Sequence, residues 1–182
     1  FKIGIVDDYG SEVSAGEEGQ IAVKVKPARP VGLFREYWRD SEATERSFVG
    51  DWYLTGDKAY KDEDGYYWSV GRADDVIISA GYRIGPFEVE SALIEHPAVA
   101  ESAVVASPDS VRGDVVKAFV ILAPDYVASD ELVVSLQDHV KNATAPYKYP
   151  RIVEFVTALP KTVSGKIRRV ELRQQELDRA GQ

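Results

Sequence analysis

The sequence contains no cysteine, which excludes disulfides, thiol nucleophiles and cysteine-ligated zinc sites. Methionine is also absent, even at position 1, and no apolar run approaches the roughly 18 residues that a membrane-spanning helix needs. The opening residues, FKIGIVDDYG, predict a strand and a turn rather than a signal peptide, so we expect the natural start to lie upstream. A chain without cysteine fits a reducing compartment. We therefore expect a cytoplasmic location, or the mitochondrial matrix if the source is an animal.

The net charge of −8 argues against a general nucleic-acid binder. The charge is uneven, because residues 141–182 carry nine Lys and Arg against four Asp and Glu, whereas residues 1–140 carry 13 against 26. A basic region on an acidic protein favours a local anionic ligand over a polymer. On charge alone, a solvated helix face is the commoner explanation.

The first 70 residues predict β structure. Residues Gln20–Val25 alternate apolar and polar side chains, as a half-buried strand does. Residues Ala59–Val70 predict a hairpin around the turn Asp62–Gly65. This acidic turn is not a calcium loop, because Tyr60 and Gly71 stand where such a loop needs an acid and its final glutamate.

After residues 71–75 the pattern changes to alternating strands and helices. Pro86 suits the first turn of a helix, with Glu88 and Glu90 near its positive end and His96 at helical spacing, and Ser129 suits the N-cap of the next helix. The predicted strands are 76–80, 99–107, 115–122 and 151–156, and the predicted helices are 85–97, 129–143 and 170–180. The order β-α-β-β-α-β-α predicts a compact α+β domain with a small central sheet.

Near the end of the chain, the stretch LPKTVSGKIRR places Lys166 directly after a glycine in a predicted loop. A solvated turn is the ordinary interpretation of such a loop. A Walker-type phosphate loop is excluded, because it needs glycine where Pro160 stands and Ser or Thr where Ile167 stands. The residues of this loop alone leave its role open.

Four stretches occur in one order: YLTGD at 53–57, GRADDVIISAGYRIGPFEVE at 71–90, TAPYKYP at 144–150 and PKTVSGK at 160–166. Together they resemble the C-terminal part of the adenylate-forming enzymes, which include acyl-CoA synthetases, luciferases and peptide-synthetase adenylation domains. The amino-acid sequence of these stretches is most similar to that of medium-chain acyl-CoA synthetases. The resemblance implies that residues 1–73 end a large N-terminal domain and that residues 74–182 form a mobile lid.

The resemblance also implies an ATP-dependent ligase. Such an enzyme converts a small or medium-chain carboxylic acid and ATP, with Mg²⁺, to an acyl-adenylate and pyrophosphate, and then exchanges AMP for coenzyme A. The glycine-rich phosphate loop and the acyl pocket would lie upstream, in the absent N-terminal domain, so this chain alone is expected to be inactive. No metal site, nucleic acid or membrane span is expected.

The family pattern assigns roles to single residues of this sequence. ATP or AMP would be bound by Asp57 at the ribose and by Arg72, Arg83 and Lys166, with Lys166 catalytic in adenylate formation. Asp74 matches the hinge. The positions that match coenzyme A contacts are Ala80, Gly81, Tyr82, Arg112 and Lys141. Serine is the family's more usual residue at position 80, so one side-chain contact is expected to be lost there.

Two alternatives stay open at this point. An adenylation domain that loads a carrier protein would not need Arg112 and Lys141, because a carrier's pantetheine arm has no 3′-phosphate. A stand-alone binding or interaction module is the second alternative, and an intact reading frame that starts near Phe1 would favour it.

Overall fold

The computed structural model describes residues 1–181, which divide into two compact units after Asp74. The first unit contains a five-stranded antiparallel sheet in the order β1-β2-β4-β3, with β5 also paired to β4. Its strands are β1 (Ile3–Val6), β2 (Glu18–Lys24), β3 (Phe48–Val49), β4 (Trp52–Lys61) and β5 (Tyr67–Arg72). Val6, Ala22 and Trp52 form its buried cluster. The interpretation of the two units as the end of a large domain and a lid stays a prediction.

The predicted hairpin of the first unit is present as β4 and β5. The strands pair from Lys61 and Tyr67 outward, and Gly65 adopts φ +90° in the turn. The carboxylate of Asp62 accepts hydrogen bonds from Tyr66 N and from Trp68 Nε1. The acidic turn therefore stabilises its own backbone and the adjoining strand.

One helix of the first unit was missed by the prediction of β structure alone. Helix α1 (Ser41–Arg46) begins after Asp40, whose side chain accepts a hydrogen bond from Ala43 N. None of its residues is buried. An exposed helix has no apolar periodicity, so only its capping residue could have indicated it.

The second unit starts at Asp75 and confirms the predicted α+β fold. Strand β9 (Gly113–Leu122) pairs antiparallel with β8 (Val99–Asp109), parallel with β10 (Ile152–Phe155), and by one residue pair with β6 (Ile77–Ser79). The short strand β7 (Tyr82–Ile84), which was not predicted, pairs with β6. The helices are α2 (Pro86–Ile94), α3 (Asp130–Ala143) and α4 (Arg169–Ala180).

Side chains from both faces of the β8–β9 hairpin are buried, which explains its nearly continuous apolar sequence. One face packs against α2 and α3 through Val104, Val116, Leu93 and Leu136 among others. The other face, centred on Phe119, packs against Leu172 of α4. His96 lies beyond the end of α2, so its assignment to that helix was wrong. Within residues 1–181, no helix is long and apolar enough to cross a bilayer.

A charged cluster connects α4 to the sheet. The Nζ of Lys117 lies 2.8 Å from Glu154 and 2.7 Å from Glu176, and Arg179 donates to both carboxylates. Hydrogen bonds from Arg179, and then from Lys117, lower the pKa of Glu154 from 4.5 to about 2. Folding therefore favours the ionised form of Glu154.

The thermal stability of the second unit is expected to fall as the pH is lowered. A carboxylate with a depressed folded-state pKa contributes its stabilisation above its unfolded pKa, here 4.5, and that stabilisation is lost as the pH approaches 2. Calorimetric melting of the chain across this range should show a shallower pH dependence for Glu154→Gln than for the wild type. An equally steep decline in both proteins would contradict this role of Glu154.

Candidate functional site

Asp57 and Arg72 face each other on neighbouring strands of the first unit. They are ladder partners between β4 and β5, and Arg72 Nη1 lies 3.4 Å from Asp57 Oδ1. Gly56, at φ +81°, makes room for the guanidinium, because an added Cβ would lie 3.0 Å from Arg72 Nη2. Both side chains stay about half exposed. The pair thus offers a ligand a carboxylate that can accept two hydroxyl hydrogen bonds and a guanidinium that can bind an anion.

Asp74, the predicted hinge residue, ends the first unit. Its side chain is 75% exposed and lies 4.0 Å from the guanidinium of Arg72. The next residue, Asp75, is 11% exposed and bonds to Arg173 of α4. The boundary between the units thus falls between two aspartates with opposite environments, the first exposed and the second held by its own unit.

Ala80 and Gly81 form the turn that connects β6 to β7, and both have positive φ, +49° and +85°. A positive φ is strained for alanine but not for glycine. The amide of Ala80 donates to the carbonyl of Arg112 at 3.1 Å, next to the Ser79–Gly113 pair that joins β6 to β9. The structure therefore brings three predicted coenzyme A positions, Ala80, Gly81 and Arg112, to one edge of the second unit.

The side chains of the two residues after this turn lie in different surroundings. Tyr82 stacks on Tyr147 with ring centroids 4.4 Å apart, so it contacts the predicted TAPYKYP motif. Arg83 is exposed on β7 opposite Ile78, and within the described part of the chain it makes no ion pair. An exposed guanidinium with no protein partner is available to an anionic ligand.

Three basic side chains lie along the same edge, and we call Arg112, Lys141 and Arg151 the basic edge. Lys141 Nζ lies 4.4 Å from the centroid of the Tyr149 ring, and the Arg151 guanidinium lies 5.0 Å from it and donates to its hydroxyl. The pKa of Asp109 is lowered, first by the backbone N–H groups of its turn, starting with Arg112, and also by the charges of Arg112 and Arg151. Arg151 thus lies between the two predicted residues: it shares Asp109 with Arg112 and shares Tyr149 with Lys141.

Arg151 was missed by the sequence analysis. It directly follows the TAPYKYP motif, so its place in the sequence could have indicated it. Lys148, which lies within that motif, is instead 17% exposed and bonded to Glu88 of α2. The basic edge is therefore built from Arg151 rather than from Lys148.

Lys166 lies in a closed turn rather than in an open loop. Thr162 N donates to the carbonyl of Lys166 at 2.8 Å, and Lys166 N donates to Thr162 Oγ1 at 3.1 Å. Gly165 closes the turn at φ +84°. The Lys166 side chain is exposed and has no ion pair within residues 1–181, whereas Lys161 is paired with Glu101 at 2.8 Å. The turn therefore fixes the backbone of Lys166 and leaves its ammonium group available.

Comparison with known proteins shows which proteins the chain is similar to. Residues 88–166 match the AMP-binding enzyme C-terminal domain. Over 178 residues the chain is 58% identical to the mitochondrial acyl-coenzyme A synthetase ACSM3 of Mus musculus, and the match covers 97% of this chain and 31% of that protein. The chain is therefore homologous to part of the adenylate-forming acyl-coenzyme A synthetases. The mitochondrial acyl-coenzyme A synthetase ACSM4 of Homo sapiens gives the same identity and the same coverage.

Solved structures of adenylate-forming enzymes share this fold. The anthranilate CoA ligase AuaEII, in complex with anthranoyl-AMP, is 44% identical and superimposes with a TM-score of 0.83 over 98% of this chain and 34% of that chain. The o-succinylbenzoate CoA synthetase MenE of Bacillus subtilis, in complex with its acyl-adenylate, is 35% identical with a TM-score of 0.80, covering 94% and 33%. This chain thus spans about a third of the length of the relatives that it matches.

Proposed function

We propose that this chain is the C-terminal part of an ATP-dependent acyl-CoA synthetase. The enzyme would adenylate a small or medium-chain carboxylic acid, releasing pyrophosphate, and then transfer the acyl group to coenzyme A, releasing AMP. The observation that carries the proposal is that one unit presents both the exposed ammonium of Lys166 and the basic edge. The mitochondrial names of the relatives support a location in mitochondria.

In the first half-reaction, Asp57 would accept hydrogen bonds from the two ribose hydroxyls of ATP while Arg72 and Arg83 donate to the nucleotide. Lys166 would bridge the substrate carboxylate and the α-phosphate, where negative charge accumulates in the transition state. A preorganised cation placed at developing charge acts electrostatically and needs no proton transfer. Mg²⁺ would enter with the ATP phosphates, because this ion is usually bound through substrate phosphates together with one or two carboxylates.

In the second half-reaction, the turn at Ala80 and Gly81 would border the path of the pantetheine arm. Gly81 leaves room there because it has no side chain, and Tyr82 would flank the arm. At the nucleotide end of coenzyme A, the basic edge would bind the 3′-phosphate. Arg112 and Arg151 would supply positive charge for this phosphate, together with Lys141, whose ammonium group lies 2.8 Å from Asp138.

In the full-length enzyme, Arg112→Ala and Lys141→Ala are each expected to weaken the binding of coenzyme A more than the binding of dephospho-coenzyme A. Loss of one hydrogen bond between a cation and a phosphate should raise the KM for coenzyme A roughly tenfold or more, and should leave the KM for dephospho-coenzyme A nearly unchanged. The assay follows AMP, pyrophosphate and the acyl thioester with each thiol. Lys148→Ala is the matched control, because Lys148 is bonded to Glu88 and only 17% exposed, whereas Lys141, although paired with Asp138, is 36% exposed. Lys148→Ala should not discriminate between the thiols.

An equal rise in KM for both thiols would contradict the 3′-phosphate assignment and favour the carrier-protein alternative. Formation of ADP and phosphate, or no turnover of any carboxylic acid, would contradict the synthetase itself.

A further inference from the structure

The residue that follows the predicted hinge is anchored more firmly than the hinge residue itself. Asp75 is 11% exposed and bonds to Arg173, and its second carboxylate oxygen lies 3.9 Å from Arg169. Both arginines belong to the first two turns of α4. The chain is therefore attached to α4 from the first residue of the second unit.

Glu90 of α2 holds the same arginine from the other side. It is buried, accepts a hydrogen bond from Val104 N at 2.7 Å, and receives Arg169 Nε at 3.1 Å and Arg169 Nη2. Although burial alone would lower the pKa of Arg169, the hydrogen bonds and charge of Glu90, and then the charge of Asp75, raise it. A partly buried guanidinium that two carboxylates hold in fixed directions has little freedom to change its position.

Arg169 also stands immediately after the Lys166 turn. Two residues separate it from Lys166, and the second of them, Arg168, donates its N–H to the carbonyl of Pro160 at 2.8 Å, which closes the base of the turn. Because the turn itself is hydrogen-bonded, the Lys166 backbone has little independent movement relative to Arg169. Asp75 and Lys166 are thus connected through side-chain bonds and a few peptide units.

We propose that Asp75, Glu90 and Arg169 act as a positioning clamp that fixes the Lys166 turn to the segment directly after the hinge. The clamp makes Lys166 move with the whole second unit, so that rotation at the hinge, and not flexing of the turn, brings its ammonium group to the adenylation site and removes it. This inference rests on the proposed function. The three clamp residues do not touch the reacting groups themselves, and they affect the reaction only through the position of Lys166.

The test is a double-mutant cycle between the clamp and Lys166 in the full-length enzyme. Glu90→Gln keeps an oxygen for Val104 N but places an amide N–H₂ against Arg169. The expected result is a roughly tenfold slower adenylate formation per folded molecule, with thioester formation from supplied acyl-adenylate changed less than about twofold. In the Lys166→Ala background, Glu90→Gln should cause no further loss, because its effect passes through Lys166.

A matched control and a second variant complete the design. Glu176→Gln also removes a buried carboxylate, one that belongs to α4 and bonds Lys117 and Ser107 of the sheet. Because Glu176 lies seven residues beyond Arg169, this variant should leave the adenylation rate per folded molecule unchanged. Asp75→Asn disturbs the clamp from its other end and should reproduce the effect of Glu90→Gln. If one of these two variants folds poorly, the other still tests the clamp.

The double-mutant cycle tests the clamp separately from the proposed role of Lys166. If Glu90→Gln slows adenylation equally with and without the Lys166 side chain, or slows both half-reactions in parallel, the clamp proposal is overturned while the assignment of Lys166 stands. If Lys166→Ala alone leaves adenylation unchanged, the proposed role of Lys166 fails and the clamp fails with it.

Discussion

Adenylate formation by the full-length enzyme is expected to slow by roughly 10²–10³ when Lys166 is replaced by alanine, the usual cost of losing one preorganised group at developing charge. The structure supports this expectation because the Lys166 ammonium group is exposed while its backbone is fixed by Thr162. The measurement is a single-turnover assay with carboxylic acid and ATP, quenched and analysed for acyl-adenylate.

Thioester formation by the same variant should stay close to the wild-type rate when acyl-adenylate and coenzyme A are supplied, because the proposed role of Lys166 ends once the adenylate exists. Lys161→Ala is the matched control: it removes a lysine of the same turn whose charge is already paired with Glu101. We expect it to change neither half-reaction by more than a few-fold. A loss for Lys161→Ala as large as that for Lys166→Ala would show that the assay reports damage to the turn.

Asp74→Pro is expected to have the opposite effect, with adenylate formed at a near-normal rate and its conversion to thioester blocked. Proline fixes φ near −65° and removes the backbone N–H, so a residue that must rotate between two conformations loses one of them. A backbone penalty of ~3 kcal/mol in the rotated state corresponds to a roughly 10²-fold slower second step. The same two single-turnover assays measure it.

Asp74→Ala distinguishes the backbone of the hinge from its carboxylate. Alanine keeps the rotational freedom but removes the group that lies 4.0 Å from Arg72. We expect Asp74→Ala to keep both half-reactions. A block of the second step in Asp74→Ala as well would assign the effect to the lost carboxylate and would contradict a hinge at this position.

Helices α2 and α3 of the second unit were predictable because both carry local start signals. Helix α3 begins as expected after Ser129, whose side chain accepts from Leu132 N, and α2 begins as expected with Pro86. Strand β7 escaped prediction because three residues are too few for an alternating pattern. The parallel pairing of β10 with β9 depends on contacts distant in sequence, which no local pattern contains.

Buried charge was the least predictable feature. Glu90 was interpreted only as an acid near the positive end of α2, yet it is buried and holds Arg169, 79 positions away in the sequence. Lys117 lies inside the apolar run of β9 and is buried against Glu176 in the same way. The sequence shows the charge of each residue but not the distant partner that makes its burial tolerable.

In the proposed mechanism, one C-terminal unit serves two half-reactions with different residues. The most direct test is the ratio of the adenylation rate to the thioester-forming rate, measured by single turnover for the wild type, Lys166→Ala and Asp74→Pro in the full-length enzyme. We predict that this ratio falls by roughly 10²-fold in Lys166→Ala and rises by a similar factor in Asp74→Pro. An unchanged ratio in both variants, with the two rates lost in parallel, would contradict the account.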